Sequence, residues 1–380
     1  MKRFYFLIIL ALLDLHSFSV TNCADKAHTI DSLMKSHIVP RGKNPVYNFL
    51  IYAASYKDEC VVHLGTGTVG RNQIKIDPDY QFNVASITKT MVATVILQLE
   101  EEGKLKTSDF AAVYLNDIDF LKFTKFHYFR KFPYADSITI KMLLNHTSGI
   151  ADVFTDASLR FNLSVLLHKK RQYTPEKLIN RYFRFHLNRK AFNRPGYGYH
   201  YSDINYMLLG FIIQKVTGRE LPQAIRERII TPLGMTNTYF EYYEPPHGNL
   251  KRIDAFLKKM NMTERINTSY EWAGGGIVSS TRDLAVFISS LLDGRLFRSQ
   301  SVTEKMKDVA DTRKFDASYG LGLIRYEIDG QIYYGHGGFY GSLMVYNPAT
   351  RIVLCANIGQ AIPPYDSGEL AKELIRVISL

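Results

Sequence analysis

Ser86 and Lys89 stand one helical turn apart in "NVASITKTMVATVILQLEEEGKL" (Asn83–Leu105), and between Val84 and Leu99 that lysine is the only charge. At about 100° per residue, Lys89, Ala93 and Ile96 share the side of Ser86, and Ile87, Met91, Val95 and Leu99 form the opposite side. A helix apolar on every side is buried. A buried ammonium loses solvation, which lowers its pKa and makes the amine a base. Ser86 at the helix start adds free backbone N–H groups and the positive end of the helix dipole, both of which favour developing negative charge. A serine hydroxyl beside such an amine is a nucleophile–base pair. The ordinary alternatives are a serine that caps a helix and a lysine that snorkels to solvent. The spacing alone is weak, because Ser32 and Lys35 repeat it in "DSLMKSH" with no apolar helix behind them.

Two further stretches strengthen the pair. "RPGYGYHYSDINYMLLGFIIQKVTG" (Arg194–Gly218) places Tyr201 just ahead of another apolar helix, and "YYGHGGFYGS" (Tyr333–Ser342) places His336 and two glycines in a strand-like run. With these the chain resembles the class C β-lactamase and DD-peptidase superfamily of penicillin-recognising serine hydrolases. That family carries Ser-x-x-Lys, Tyr-x-Asn and Lys/His-x-Gly; here they stand in order as Ser86–Lys89, Tyr201–Ser202–Asp203 and His336–Gly337–Gly338. Supporting phrases are "LLNHTSGI", "PLGMTNTYF", "AGGGIVSSTRDLAVF" and "YGLGL", and the likeness runs from about Val46 to Gly359.

The resemblance implies acyl transfer through a serine ester. Ser86 attacks a carbonyl, and Lys89 with Tyr201 takes the serine proton and passes it to the leaving group. A phenol titrates near 10, so Tyr201 acts as a base only where a cation lowers it, and Lys89 is the expected cation. His336 stands where many members carry lysine and would contact substrate or the tyrosine; titrating near neutrality, it predicts activity rising through about pH 6–7. Gly337 and Gly338 are expected to let substrate backbone approach the strand. The backbone N–H groups of Ser86 and Phe339 are the expected oxyanion hole. "HTSGI" is expected to shape the floor of the site.

Asp203 departs from the family pattern. Asn donates and accepts hydrogen bonds, whereas an ionised Asp only accepts. Asp203 cannot donate to an acylamide carbonyl, and its charge favours the ammonium form of Lys89. The three ordered signatures imply a peptide- or β-lactam-type amide hydrolase of the DD-carboxypeptidase or β-lactamase kind, and Asp203 is the residue that weighs against it. A carboxylesterase on the same scaffold and a non-catalytic cell-envelope binding protein are the alternatives.

The elements that must hold these residues are legible as an α+β fold, an α/β sandwich of β-lactamase/transpeptidase-like type. "YNFLIYAAS", "ECVVHLGTGTVG", "YGLGLIRYEI", "QIYYGHGG" and "SLMVYNPATRIVLCANI" read as strands, the last a hairpin turning at Asn347–Pro348. Strands at both chain ends imply an antiparallel sheet flanked by helices, with a mostly helical second lobe between. The expected division is a signal peptide over 1–24, a sheet domain from 25–85 and 271–380, and a helical domain over 86–270 that starts with the nucleophile helix.

At the N-terminus, Lys2 and Arg3 precede an apolar run from Phe4 to Leu13. That run is shorter than the roughly 20 residues of a bilayer span and fits an export signal cleaved after Ser19 or Ala24. The protein is thus expected to be periplasmic or secreted, with no integral membrane span. A lipid anchor at Cys23 is disfavoured by the Asn22 before it. If Cys23 leaves with the signal, Cys60 and Cys355 remain, either bonded to each other or as buried thiols. No His-Glu-x-x-His or clustered cysteines occur, so neither metal nor cofactor is expected. Net charge is +11, and from Val165 to Arg194 nine Lys/Arg accompany one acid, Glu176. No zinc-finger, RNA-binding or basic-zipper pattern accompanies them, which argues against nucleic acid. The expected partner is a small-molecule or peptide substrate, cell-wall peptide included.

Overall fold

Six antiparallel strands form the main sheet: β1 (Asn48–Ser55), β2 (Cys60–Gly67), β3 (Ile324–Ile328), β4 (Gln331–Gly338), β5 (Ser342–Asn347) and β6 (Ile352–Asn357). Their spatial order is β3-β4-β5-β6-β1-β2. The computed structural model describes residues 22–71, 74–248 and 251–380. β1, from early in the chain, pairs with β6, from its end, with Tyr52 opposite Cys355. The sheet is thus built from both chain ends, as the strand pattern predicts.

The principal helices are α1 (Cys23–Ser36), α2 (Thr88–Glu101), α3 (Ser158–Leu167), α4 (Asp203–Thr217), α5 (Thr281–Leu292) and α6 (Ser367–Ser379). Successive strand residues point to opposite faces. On β1, Phe49, Ile51 and Ala53 pack with Ile30 of α1 and Leu374 of α6, whereas Leu50 and Ala54 join the core that contains α2, α4 and α5. Both faces are covered, which explains why β6 is buried along its whole length. The β5–β6 hairpin turns where Asn347 accepts backbone hydrogen bonds from Ala349 and Thr350.

α2 is buried from Thr88 to Leu97, as its uninterrupted apolar character requires. α4 is its packing partner and stops at Gly218, whose φ of +65° is a left-handed cap. Between Leu105 and Tyr270 the expected helical lobe is less regular than its pattern suggests. Short helices are interrupted by two small strand pairs, Tyr128–Phe129 with Phe132–Pro133 and Phe256–Leu257 with Met260–Asn261.

The cysteines pair differently from either reading of the sequence. Cys23 is bonded to Cys60, tying α1 to β2, while Cys355 is a free buried thiol. The expected export segment falls largely in residues 1–21, outside the described residues. The later of its two candidate boundaries, after Ala24, lies inside α1 and would separate Cys23 from its partner.

Candidate active site

The nucleophile candidate does not lie in α2 itself. Ala85–Ile87 form a tight 3-10 turn with Ser86 at its centre, and α2 begins at Thr88. Ala85 has φ +49°, a left-handed conformation that costs a non-glycine residue about 1 kcal/mol or more. Neighbours hold the turn in place. Val84 N–H donates to Ile277 O at 3.0 Å, and Ile277 N–H donates to the Thr88 hydroxyl at 3.2 Å.

β4 lies against this turn, and Gly338 makes that possible. A Cβ there would sit 2.1 Å from Val84 O and 2.2 Å from Ser342 Oγ, whereas at Gly337 the nearest atom would be 3.8 Å away. The two glycines therefore differ from their shared expected role. Gly338 is required by the nucleophile turn, and Gly337 faces the cleft. Gly338→Ala is expected to cost about 2 kcal/mol or more, read as a fall in midpoint of thermal unfolding, and Gly337→Ala to be well tolerated. Equal midpoints for the two variants would contradict this packing.

Lys89 has no exposed surface. Its Nζ donates to Ser86 Oγ at 3.0 Å, to Asp203 Oδ1 at 2.5 Å and to Gly274 O at 2.7 Å. All three ammonium donors are thus used, one of them on a carboxylate. Lys89 donates to Ser86 Oγ, so the serine hydrogen must point elsewhere, and the Tyr201 phenol, whose pKa the Ser86 hydroxyl lowers, lines the same cleft. The other Ser-x-x-Lys copy is a surface feature: Lys35 pairs with Asp31 one turn back.

Tyr201 does not have the lowered pKa expected of it. Burial pushes the phenol well above its ordinary value, and the Asp203 carboxylate raises it further, against a smaller opposing effect of the Ser86 hydrogen bond. The main physical reason is burial; Lys89, whose Nζ lies 5.0 Å from the Tyr201 ring centre, is itself paired with Asp203, whose charge adds to the rise. Tyr201 is a neutral phenol, able to accept one proton while donating another.

His336 is buried, and burial followed by the charge of Lys89 pulls its pKa down to about 3. Nδ1 lies 2.6 Å from Gly337 O and Nε2 lies 3.0 Å from Tyr319 Oη. These contacts assign the hydrogen to Nδ1 and leave Nε2 accepting from tyrosine. The expected rise in activity through His336 titration is therefore overturned. Its folded pKa lies below its unfolded value, so the imidazole is already neutral at about pH 5 and above. NMR shifts of the His336 ring are expected to stay in the neutral range from about pH 8 down to about pH 5. A midpoint between those limits would contradict the burial.

His146, in "LLNHTSGI", underlies the tyrosine. Its Nδ1 accepts from Ser202 N–H at 3.2 Å and Asn205 Nδ2 at 3.1 Å, and its ring lies 4.2 Å from that of Tyr201. Ser148 donates to Asn205 Oδ1 at 2.7 Å. This loop anchors the start of α4, and so positions Tyr201 and Asp203.

Two carboxyls escaped the sequence reading. Asp152 is fully buried, accepts the Asp203 backbone N–H at 2.9 Å, and is pushed up to about 7 by burial and the Asp203 charge. Glu271 accepts a hydrogen bond from the Tyr340 hydroxyl and is pushed up to about 8 by burial. A Cβ on Gly275 would meet Glu271 Oε2 at 2.9 Å and the Ala85 carbonyl carbon at 3.5 Å, so Glu271 borders the nucleophile turn. In sequence Glu271 was only a lone acid between Tyr270 and Trp272, with no spacing to mark it.

These groups line a cleft of about 540 Å³ that contains Ser86, Tyr201, Asp203, Glu271, His336 and Gly337. Its walls are mainly apolar: Phe154, Phe161, Leu257, Met262, Tyr270 and Phe339. Phe339 follows β4 and is exposed at the cleft. No Lys or Arg is among the described residues lining it. Among the described residues no cluster of His, Cys, Asp or Glu has metal-site geometry.

A family model described as Beta-lactamase matches residues 50–366. A Bacillus subtilis protein named as a penicillin-binding protein, PbpX, is 32% identical over 273 residues, 70% of this chain and 59% of that protein's own length. An Escherichia coli O157:H7 protein named as a D-alanyl-D-alanine carboxypeptidase is 27% identical over 72% of this chain and 67% of its own. Among solved structures, a D-stereospecific amidohydrolase from a Streptomyces species superposes with a TM-score of 0.73 at 26% identity, covering 90% of this chain and 97% of that one.

Proposed function

The chain belongs to the Beta-lactamase family, and from that footing we propose that it is a serine hydrolase that cleaves amides or peptides through an acyl-enzyme at Ser86. The observation that carries this reading is the hydrogen bond from the buried Lys89 to Ser86 Oγ at 3.0 Å, in a cleft that Tyr201 also lines. As Ser86 Oγ attacks a carbonyl carbon, its proton passes to Tyr201 Oη. The phenol's own proton goes to the leaving nitrogen or oxygen, so Tyr201 stays neutral throughout. Lys89 stabilises the developing charge on Ser86 Oγ as a fixed ammonium, which suits a lysine paired with Asp203. The backbone N–H groups of Ser86 and Phe339 are the proposed donors to the carbonyl oxygen. Water then attacks the ester carbonyl and gives a proton to Tyr201 Oη; the phenol's own proton passes to Ser86 Oγ as the acyl C–Oγ bond breaks, releasing the carboxylic acid and restoring the serine hydroxyl.

The cleft also favours a class of substrate. DD-peptides and β-lactams carry a carboxylate near the bond that breaks, and among the described residues no lining cation is present to hold one. Asp203 and Glu271 would instead repel it when ionised. Uncharged or amine-bearing amides fit better, and neutral carboxylic esters form a second reading on the same ground. Turnover of a short-chain nitrophenyl ester, an amino acid amide, nitrocefin and a D-Ala-D-Ala peptide separates these. The amide or the ester is expected to exceed the two carboxylate-bearing substrates by about 10-fold or more in kcat/KM. Preference for nitrocefin or the D-Ala-D-Ala peptide would refute the charge argument, and no acyl adduct on Ser86 with any of them would refute the mechanism.

A further inference from the structure

α3 carries apolar residues on two opposite sides. Phe161 and Val165 point inward, and Phe161 lines the cleft. Leu159, Leu163, Leu166 and Leu167 are 81%, 57%, 44% and 70% exposed. At about 100° per residue these four fall within one stripe about 100° wide, diametrically across from Phe161 and Val165. Single exposed leucines are ordinary, but a contiguous stripe on one helix marks an interaction surface.

The turn that follows is basic. Arg160, Lys169, Lys170 and Arg171 are all exposed and form no ion pair with an acid among the described residues. No Asp or Glu occurs from Ser158 to Tyr173. The turn is fixed in place, because Asn267 N–H donates to Lys169 O at 2.7 Å. An apolar stripe bordered by Lys and Arg on a short helix is the composition of an interfacial segment, which buries leucines among acyl chains while its cations meet anionic headgroups.

We propose that α3 and the turn after it dock the protein on an anionic lipid surface. Lipid suits the surface better than the alternatives. An anionic polymer would use the cations and leave the leucines in water. A second copy of this chain, paired through the same stripe, would cover the leucines but bring no acid from this segment to meet the cations. A lipid surface satisfies both features at once.

The test uses the full chain with vesicles of neutral phosphatidylcholine, alone or mixed with phosphatidylglycerol. Leu163→Cys carrying an environment-sensitive fluorophore is expected to shift to the blue with anionic vesicles and not with neutral ones. Replacing Lys169, Lys170 and Arg171 with Gln is expected to lower vesicle affinity roughly 100-fold. Leu159→Ser with Leu163→Ser is expected to lower it at least about 10-fold. Hydrolysis of a small soluble ester should be unchanged in these variants. Vesicle binding with no shift at position 163 places the contact elsewhere and overturns the proposal. So does retention on an anionic polymer without vesicle binding, or a lipid-free dimer that the leucine substitutions dissolve.

Discussion

Ser86→Ala is expected to lower turnover of every substrate by about 10⁴-fold or more and to remove all covalent labelling by a fluorophosphonate probe. The fold should survive, with a stability change of about 1 kcal/mol, because the hydroxyl contributes hydrogen bonds and little packing. Ser86 sits in a strained turn backed by Gly338 of β4, and among the described residues no other serine accepts a hydrogen bond from a buried lysine. Tyr201→Phe keeps the ring on His146 and removes only the oxygen that receives the serine proton. It is expected to reduce acylation by about 10²–10⁴-fold. In the Ser86→Ala background the same change should cost nothing further, since one relay cannot be broken twice. Label mapped to a residue other than Ser86, or additive losses in the double variant, would remove the relay.

Lys89→Met separates catalysis from folding. It removes the ammonium that polarises Ser86 and leaves Asp203 facing Tyr201 and Asp152 without its counter-charge. Breaking a buried pair by removing one partner costs about 3–5 kcal/mol, and the partial exposure of Asp203 places the expected loss near the lower figure. Adding Asp203→Asn to Lys89→Met should recover most of that stability while hydrolysis stays at least about 10³-fold down. Denaturant unfolding and single-turnover acylation measure the two quantities independently. Recovered acylation in the double variant would remove Lys89 from the chemistry, and an unrecovered fold would mean that Lys89 is held chiefly by Gly274 O and the Tyr201 and Tyr206 rings.

The arrangement also shows why an Asp can stand where relatives of this kind carry Asn. The carboxylate takes one donor of Lys89, Gly274 O takes another, and the third is left for Ser86 Oγ. In the proposed mechanism lysine supplies a positive charge, and the proton traffic falls to a neutral tyrosine. The nearby groups moved toward neutral pH are carboxyls, Asp152 to about 7 and Glu271 to about 8, both by burial. Any pH dependence of turnover close to neutrality is expected to follow these and not His336.

Much of this was determined by local pattern. The burial of α2 followed from an apolar run interrupted only by Lys89, and the sheet from period-two strands at both chain ends. The ordered signatures identified Ser86, Lys89, Tyr201 and His336, which the structure brings around one cleft, His336 through its contacts with Tyr319 and Gly337. What tertiary structure alone decided was the electrical state of those groups. Spacing placed Lys89 a turn from Ser86 but did not reveal that Asp203, far along the chain, would pair with it, or that burial would outweigh that ammonium's pull on Tyr201 and neutralise His336. The disulfide partner of Cys60 and the place of Glu271 beside Ala85 were equally hidden. Periodicity reports which side of an element is apolar; a pKa depends on every charge and dipole within a few ångströms, and these come from segments that only folding makes neighbours.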